Sequence, residues 1–326
     1  MVKDVVFING IVKSMEKRLI GYDKFVQMAD ASSADEAFKI LRECGFGGEG
    51  VSLARPNEFE TLILNEWQTL LDFFKEYTPS HRFLSFVTAN NDFFNAECAV
   101  RSLYVAVDRG VYLPEGLVKV DMLIDYANGK PVEIPEYLKK TMDLAIAARS
   151  DENEISGAKM SAVFMSGYYE FLLKTAKSKL VGQLVRYDID VKNISTAVRS
   201  ATSSSASKFY LKGGAVKTQT LDLIADGKFE KALDALYRTE YFELVELAAE
   251  DKKGGRPLTR FERQSDDFAM KKLKELRFET EGVIPSLLYF NYKTSEMKNV
   301  RIVMAMKLVG ADKSAIIERL RECYAG

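Results

Sequence analysis

The sequence has little of what most active sites are built from. Its 326 residues include one histidine, His81, and three cysteines, Cys44, Cys98 and Cys323. Three widely spaced cysteines without a C-x-x-C pair argue against a disulfide framework and are typical of reduced thiols in a cytoplasmic protein. A single histidine cannot form a histidine-based metal site, and Ser–His–Asp chemistry would have to run through that one residue. We therefore expect the cysteines to pack in cores and His81 to be exposed or to cap a helix.

The sequence also lacks long apolar runs and an excess of either charge. No stretch approaches the roughly 18 uninterrupted apolar residues that span a bilayer, and the first residues show no signal-peptide pattern. The chain carries 46 basic and 47 acidic side chains, a net charge of −1. We therefore expect no nucleic-acid partner and no direct membrane insertion. With 47% hydrophobic residues, the composition is that of a folded protein of two or three domains.

The dominant pattern along the chain is helical. "FETLILNEWQTLLDFFKEY" (59–77) repeats its apolar residues with a period near 3.6. Similar periodicity predicts helices over 159–185, 266–276 and 314–323, and no convincing alternating strand occurs. Gly, Pro and polar clusters predict connections at 43–59, 128–137, 150–157, 202–208 and 250–267. The fold class predicted is all-α.

A short phrase recurs within these helices. "NAECAVRS" (95–102) and "NISTAVRS" (193–200) share five of eight letters, and "NVRIVMAM" (299–306) keeps the leading asparagine and the apolar pair. The asparagines Asn95, Asn193 and Asn299 are 98 and 106 residues apart. An acidic residue stands three positions before each of them. These residues are Asp92, Asp190 and Glu296.

The recurrence indicates tandem copies of one helical unit of about a hundred residues, although chance recurrence of short helical phrases is the alternative. A weaker fourth candidate begins at Asn9, and "LREC" occurs at 41–44 and again at 320–323. We predict three similar bundles with approximate boundaries 1–92, 93–190 and 191–326, with the terminal helices able to pack together. Each asparagine would order an equivalent helix junction by capping a turn or bridging helices, and Glu296 is a candidate partner for Arg301.

Motifs that bind phosphate or metal are incomplete. "GFGGEG" (45–50) matches G-x-G-x-x-G in letters, but no strand precedes it, so a helix C-cap with a loop is the better interpretation. "KGGAVKT" (212–218) misses the P-loop spacing and predicts a turn before a helix. The acidic clusters Asp151-Glu152-Glu154 and Asp266-Asp267 fit solvated surface better than a cation site. No base, nucleophile and oxyanion site assemble, so we expect no enzyme activity, no cofactor and no metal.

The C-terminal region resembles a known family. "YFNYKTSEMKNVRIVMAMKLVG" (289–310) is similar to the closing signature of the C subunit of archaeal and bacterial V/A-type rotary ATPases, a family that includes the eukaryotic vacuolar ATPase d subunit. "DIDVKNISTAVRS" (188–200) resembles its middle signature, and "FYLKGGAV" (209–216) resembles the Gly-Gly turn that follows. The first helix departs from the arginine-rich start common in the family. The residues that carry the C-terminal resemblance are Tyr289, Tyr292, Lys293, Glu296, Asn299, Val300 and Arg301.

The resemblance implies an architecture and a role. Family members are three similar helical bundles around a pseudo-threefold axis, funnel-shaped with a central cavity. They act as non-catalytic central-stalk adaptors on the cytoplasmic face of the membrane. Their partners are the central shaft subunits (D/F type) and the membrane rotor ring subunits (c/K type). Lining the axial socket is then an alternative role for the repeated asparagines, and 150–157 and 250–267 are candidate flexible joints. The competing hypothesis is a helical scaffold, unrelated to ATPases, that binds a partner helix or peptide in a groove.

Overall fold

The computed structural model describes residues 5–48, 55–78, 80–148 and 157–324. Within these ranges every regular element is helical, which confirms the all-α fold class. This part of the chain forms sixteen α-helices joined by loops and three short 3-10 turns, the latter at Pro56–Glu58, Arg109–Val111 and Ser207–Phe209. In chain order the helices are α1 (Val5–Glu16), α2 (Tyr22–Asp30), α3 (Ala34–Glu43), α4 (Phe59–Tyr77), α5 (His81–Arg101), α6 (Val120–Ala127), α7 (Glu136–Ala147), α8 (Gly157–Thr175), α9 (Lys179–Arg199), α10 (Ser203–Ala206), α11 (Thr218–Ala225), α12 (Phe229–Leu236), α13 (Phe242–Lys253), α14 (Thr259–Glu275), α15 (Ile284–Leu308) and α16 (Lys313–Arg319).

Local sequence signals account for several helix ends. The Ser33 hydroxyl accepts a hydrogen bond from the Glu36 N–H at the start of α3, and the Asp312 carboxylate accepts one from the Ala315 N–H at the start of α16. Both side chains satisfy a backbone donor that the first helical turn leaves without a partner. Gly45 follows the end of α3 with φ of +75°, as the helix C-cap interpretation predicted. The predicted helix over 59–77 is confirmed with the same bounds as α4.

Two predicted segments between α8 and α11 differ from the structure. The helix predicted over 159–185 is two helices, because α8 ends at Thr175 and α9 begins at Lys179. No Gly or Pro lies at this break. The apolar periodicity continues across it, so the sequence pattern predicts one helix where there are two. The loop predicted over 202–208 contains α10 and a 3-10 turn, and α10 begins where the Thr202 hydroxyl accepts from the Ser205 N–H.

The charged connection predicted over 250–267 is mostly helical as well. Helix α13 continues to Lys253 and α14 starts at Thr259, which leaves only 254–258 as a loop. Charged residues there extend helices instead of interrupting them, because Lys, Glu and Arg are good helix formers. The predicted helix over 266–276 is part of α14, and the one over 314–323 ends at Arg319. Apart from Gly157, which begins α8, the predicted loop over 150–157 lies outside the described residues.

The chain divides into two compact units, and the divisions fall inside α5 and α14. The first unit combines Met1–Leu84 with Met270–Gly326, so it is assembled from both ends of the chain. Helix α15 is central to this unit and packs against α1, α2, α3 and α4. The Phe290 ring on α15 lies 5.8 Å from the Trp67 ring and 6.0 Å from the Phe74 ring of α4.

The second unit, Ser85–Ala269, contains two apolar clusters. The first cluster is built mainly from α5 to α8, and the second mainly from α10 to α14. Helix α9 contributes to both, with Val185 and Ile189 in the first cluster and Ile194 and Val198 in the second. The predicted bundle boundaries after residues 92 and 190 lie within α5 and α9, because the repeated phrase that suggested them sits in mid-helix.

The second unit repeats one order of elements. Helices α5 and α9 each have 21 residues, and each is followed by a long connection, which after α9 includes the one-turn helix α10, and then by an eight-residue helix. The starts of α5 and α6 are 39 residues apart (120 − 81), and so are the starts of α9 and α11 (218 − 179). Asn95 and Asn193 each lie 14 residues after the first residue of their helix (95 − 81 and 193 − 179). Equal spacing over this length places the two asparagines at equivalent points of a repeated arrangement.

Candidate functional site

Each repeated asparagine holds the backbone of one residue in the connection that follows its helix. The Asn95 Oδ1 accepts from the Leu113 N–H at 2.8 Å, and its Nδ2 donates to the Leu113 carbonyl at 3.1 Å. Asn193 makes the same pair of bonds with Leu211, at 2.7 Å and 2.9 Å. We call this two-way contact the asparagine bracket. Only a side chain that has both an acceptor and a donor at its end can make it.

The third asparagine makes the bracket in the first unit. The Asn299 Oδ1 accepts from the Arg321 N–H at 2.8 Å, and its Nδ2 donates to the Arg321 carbonyl at 3.1 Å. All three asparagines are buried. Buried backbone groups need hydrogen-bond partners, and one amide satisfies both groups of a residue outside any helix. The weaker candidate, Asn9, differs, since its Nδ2 donates to the carbonyls of Thr280 and Gly282.

The acidic residue three positions earlier binds the same connection further along. The Asp92 carboxylate accepts from the N–H groups of Leu117 and Val118, at 3.1 Å and 3.2 Å. Val118 lies two residues before α6. An aspartate and an asparagine one helical turn apart on α5 thus fasten two points of one connection, and the second point is the entry to a short helix.

The same relation occurs at the other two acidic residues. Asp190 accepts from the N–H groups of Ala215 and Val216, both at 2.9 Å, and Val216 lies two residues before α11. Glu296 accepts from the Ile20 N–H at 2.6 Å, and Ile20 lies two residues before α2. In the first unit, the acidic residue therefore reaches the N-terminal part of the chain, whereas the bracket of Asn299 holds the C-terminal part.

A glycine accompanies each aspartate but not the glutamate. A Cβ atom on Gly116 would lie 2.4 Å from an Asp92 carboxylate oxygen, and one on Gly214 would lie 2.2 Å from an Asp190 oxygen. Both glycines precede the bonded valine by two residues, where the short aspartate needs close approach of the backbone. The equivalent position before Ile20 is Arg18, and there the acidic residue is the longer glutamate.

The glutamate belongs to a buried ionic network in the first unit. The Lys293 ammonium contacts the Glu296 carboxylate and lies 2.6 Å from Glu66 Oε2, and Glu66 Oε1 accepts from the Gly47 N–H. Burial by itself lowers the pKa of Lys293, but the two carboxylates raise the pKa above its ordinary value. Lys293 is therefore charged at neutral pH. Removing it would leave the buried Glu296 carboxylate and the half-buried Glu66 carboxylate without their counter-ion, which is costly away from water.

One predicted pair is wrong. Arg301 does not contact Glu296 but binds Glu60 on α4, with its Nε at 2.7 Å and an Nη at 2.8 Å from the two carboxylate oxygens. Residues five positions apart on a helix do not face each other, whereas the packing of α15 on α4 brings Glu60 opposite Arg301. The bidentate geometry is the one that arginine prefers with carboxylates.

The candidate chemical groups that the structure describes do not assemble into a reactive centre. His81 is exposed at the first residue of α5. Burial raises the pKa of Cys44 and Cys98, and it raises the pKa of Cys323 to about 12. A raised pKa lowers the thiolate fraction and hence the nucleophilicity of these thiols. In the described ranges, no group of three or more His, Cys, Asp or Glu side chains is arranged to hold a metal ion.

The glycine motifs are structural where they are described. The segment "KGGAVKT" is a turn before α11, as predicted, and it supplies the N–H groups that Asp190 binds. Only 45–48 of "GFGGEG" lie within the described residues, where Gly45, Gly47 and Gly48 all have positive φ. Asp266 and Asp267 lie in α14, whereas Asp151, Glu152 and Glu154 lie outside the described residues.

The backbone partners of the brackets were missed from the sequence. No residue type marks these partners, which are two leucines and an arginine, because only the main-chain groups of Leu113, Leu211 and Arg321 take part. One signal was available, since Gly116 follows Asn95 by 21 residues (116 − 95) and Gly214 follows Asn193 by 21 (214 − 193). An acid, an asparagine and a glycine at fixed spacing identify two of the three copies, but the copy at Asn299 lacks the glycine.

A long helix whose buried acid and buried asparagine each bind backbone groups of another part of the chain occurs three times. The fold and these sites therefore define a class, all-helical proteins built from a recurring module. Within that class, the chain belongs to the family described as ATP synthase (C/AC39) subunit, whose profile matches residues 8–319. This confirms the resemblance noted in the sequence.

Two characterised relatives cover nearly the whole chain. The C subunit of the V-type sodium ATPase of Enterococcus hirae is 21% identical over 97% of this chain and 98% of its own length. The C subunit of the A-type ATP synthase of Methanocaldococcus jannaschii is 22% identical over 93% of this chain and 82% of its own length. Among the helices that the structure describes, none is long and apolar enough to cross a membrane.

Proposed function

We propose that this protein is a non-catalytic central-stalk adaptor of a V/A-type ATPase or ATP synthase. It couples the central shaft, of D/F-type subunits, to the membrane rotor ring, of c/K-type subunits, and transmits torque for ATP-linked H⁺ or Na⁺ transport. The observation that carries the proposal is the family match over residues 8–319. The match covers 98% and 82% of the lengths of the two relatives named as C subunits, which supports an equivalent role.

The asparagine brackets suit a part that transmits force. A torque-bearing element must resist deformation, and close-packed helices with satisfied buried polar groups are stiff. In our proposal Asn95, Asn193 and Asn299, together with Asp92, Asp190 and Glu296, order equivalent junctions in three copies of the module. The copies would surround a pseudo-threefold axis and enclose a funnel-shaped cavity for the shaft. The protein would lie at the cytoplasmic face of the membrane and contact the ring without entering lipid.

The decisive experiment is reconstitution of the rotary complex with and without this chain. We expect the shaft subunits and the rotor ring to co-purify only when the chain is present. We also expect ATP-driven ion transport to require the chain, whereas the ATPase activity of the detached catalytic part does not. A chain that binds neither shaft nor ring would contradict the proposal. A chain that bound a helical peptide but bound neither the shaft nor the ring would favour the scaffold alternative.

A further inference from the structure

A groove runs along one face of the α7–α8 pair in the second unit. Its volume is about 660 Å³, and it is lined by residues of α7, α8 and the 3-10 turn at Ser207–Phe209. The two helices are antiparallel and closely packed, because the rings of Tyr137 and Phe171 stack with centroids 4.2 Å apart and Gly167 faces Thr141. The repeated asparagine sites do not contribute to this surface.

The groove follows both helices of the pair. The residues that line it recur on α7 from Tyr137 to Ala148 and on α8 from Lys159 to Lys174, at spacings of three and four. At 1.5 Å of rise per residue, the α8 stripe is roughly 22 Å long, or about four helical turns. The α7 stripe is shorter, roughly 16 Å or about three turns. The two antiparallel helices together form a seat for a third helix.

The floor of the groove is apolar and open to solvent. Leu144 is 56% exposed, which is high for a leucine next to a cluster of buried residues. Val163 and Phe171 are half-buried beside it, and Gly167 contributes no side chain at the centre. An exposed apolar strip of this kind commonly marks a binding surface.

The rim of the groove is positively charged. Lys140, Lys159, Lys174 and Lys208 line it together with one acidic residue, Glu170. Glu170 already accepts from Lys140 at 3.1 Å and from Lys174 at 2.7 Å. The lining residues thus carry four positive charges against one negative charge. Lys159 stands at one end of the α8 stripe and Lys174 at the other, so the positive charge follows the groove.

We propose that this groove binds an acidic amphipathic helix of a partner protein. The apolar stripe of that helix would pack over Leu144, Val163 and Phe171, and its flanking carboxylates would face the lysines of the rim. Charge spread along four turns matches a helix better than a single phosphate or lipid headgroup, which would need the cations gathered at one point. This inference goes beyond the proposed adaptor function and does not depend on it.

Two designed peptides of 18 residues test the proposal against the purified full-length chain. Both carry leucines at i, i+3, i+4 and i+7, and one has glutamates and the other lysines beside the leucines. We expect the acidic peptide to bind at least about tenfold more tightly in fluorescence anisotropy, with affinity that falls as salt rises. Equal affinity of the two peptides, or no binding of the acidic one, would overturn the proposal.

Matched variants locate the site. Leu144→Glu should weaken binding of the acidic peptide about tenfold or more, whereas Val105→Glu should not, because Val105 is 55% exposed in the same unit but outside the groove. Lys208→Glu should weaken it several-fold and exposed Lys231→Glu should not. Circular dichroism melting checks that each variant folds, and Leu144→Ser replaces Leu144→Glu if the latter does not.

A second experiment, with lipid vesicles, tests the other candidate occupant of the groove, a lipid headgroup. Vesicles containing anionic lipid should not compete with the acidic peptide, and their own binding should be the same for the original chain and Leu144→Glu. Vesicle binding that depends on Leu144 and displaces the peptide would make the groove a lipid site and contradict the helix proposal. Peptide binding that Leu144→Glu leaves unchanged would place the peptide elsewhere and also contradict it.

Discussion

At the scale of single residues, a terminal amide does what neither a carboxylate nor a hydrocarbon of similar size can do. Asn193 satisfies the N–H and the carbonyl of Leu211 together, and both partners are buried. A buried backbone group without a partner costs roughly 1–3 kcal/mol. The recurrence of asparagine, and not aspartate, at these three positions follows from the need for a donor and an acceptor at one point.

The first prediction concerns Asn193→Ala. The change leaves both backbone groups of Leu211 without their partner, so the free energy of unfolding should fall by about 2–4 kcal/mol in urea titration. The control Asn90→Ala, at an exposed position, should change it by less than about 0.5 kcal/mol. If Asn193→Ala abolished binding to the shaft subunits with no change in the melting midpoint, the structural role would be wrong and socket lining would replace it.

The second prediction concerns the buried carboxyl of Asp92. Burial raises its pKa from 3.8 to about 6, against hydrogen bonds from Val118, Leu117 and Thr88 that lower it. Between these two pH values the folded state binds the proton more strongly than the unfolded state, so this group stabilises the fold at acidic pH. Its contribution should be lost as pH rises from about 4 to 6, by about 3 kcal/mol at most.

Replacing Asp92 by Asn removes that titration. The difference in unfolding free energy between the original chain and Asp92→Asn should shift in favour of Asp92→Asn as pH rises from about 4 to 7, because other groups cancel in the difference. Asn90→Ala, at an exposed residue that carries no titratable group, should give a nearly constant difference over that window. Parallel stability profiles for Asp92→Asn and the original chain would show that Asp92 is ionised throughout.

At the scale of elements, helix packing depends on where side chains are missing. Gly167 sits in the middle of α8, where glycine weakens a helix by about 1 kcal/mol relative to alanine. A Cβ atom there would lie 2.3 Å from the Thr141 hydroxyl on α7. Close contact between α7 and α8 therefore offsets the poor helix propensity of the glycine.

The third prediction compares two helical glycines. Gly167→Ala should lower the free energy of unfolding by about 1–3 kcal/mol, because the added methyl group has no space against Thr141. Gly182→Ala on α9 should raise it by up to about 1 kcal/mol, since no atom beyond the adjacent residues and the backbone of its own helix lies within 4 Å of the new methyl group. Thermal unfolding measures both. Adding Thr141→Ala to Gly167→Ala should recover part of the loss, and a stabilising Gly167→Ala would contradict the steric account.

At the scale of the whole molecule, the first unit is closed by segments from opposite ends of the chain. Glu296 binds the Ile20 N–H, Arg301 binds Glu60, and Lys293 binds Glu66. In each of these contacts, α15 supplies one partner and the N-terminal part of the chain supplies the other. In the third copy, the acidic residue of α15 therefore binds the backbone just before α2, near the N-terminus, and not the backbone before α16, the short helix that follows α15.

The fourth prediction separates the units. The fragment 85–269 should fold alone, with helical circular dichroism and a cooperative thermal transition, because both of its apolar clusters are internal. The fragment 1–84 should not, since Glu66 and the apolar faces of α1 and α4 lose their α15 partners. Mixing 1–84 with 270–326 should restore a cooperative transition. Cooperative folding of 1–84 by itself would contradict this division.

The sequence by itself determined the all-helical class, the bounds of α4 and the recurrence of an acid and an asparagine at the same spacing. Each of these is encoded by neighbouring residues, through apolar periodicity or a short phrase. The tertiary structure decided which backbone groups the asparagines bind, that Arg301 pairs with Glu60, and that the two ends of the chain form one unit. These contacts join residues that are 18 to 276 positions apart in the chain. Many of them also involve main-chain groups, which are the same in every residue, so the sequence does not show which residue takes part.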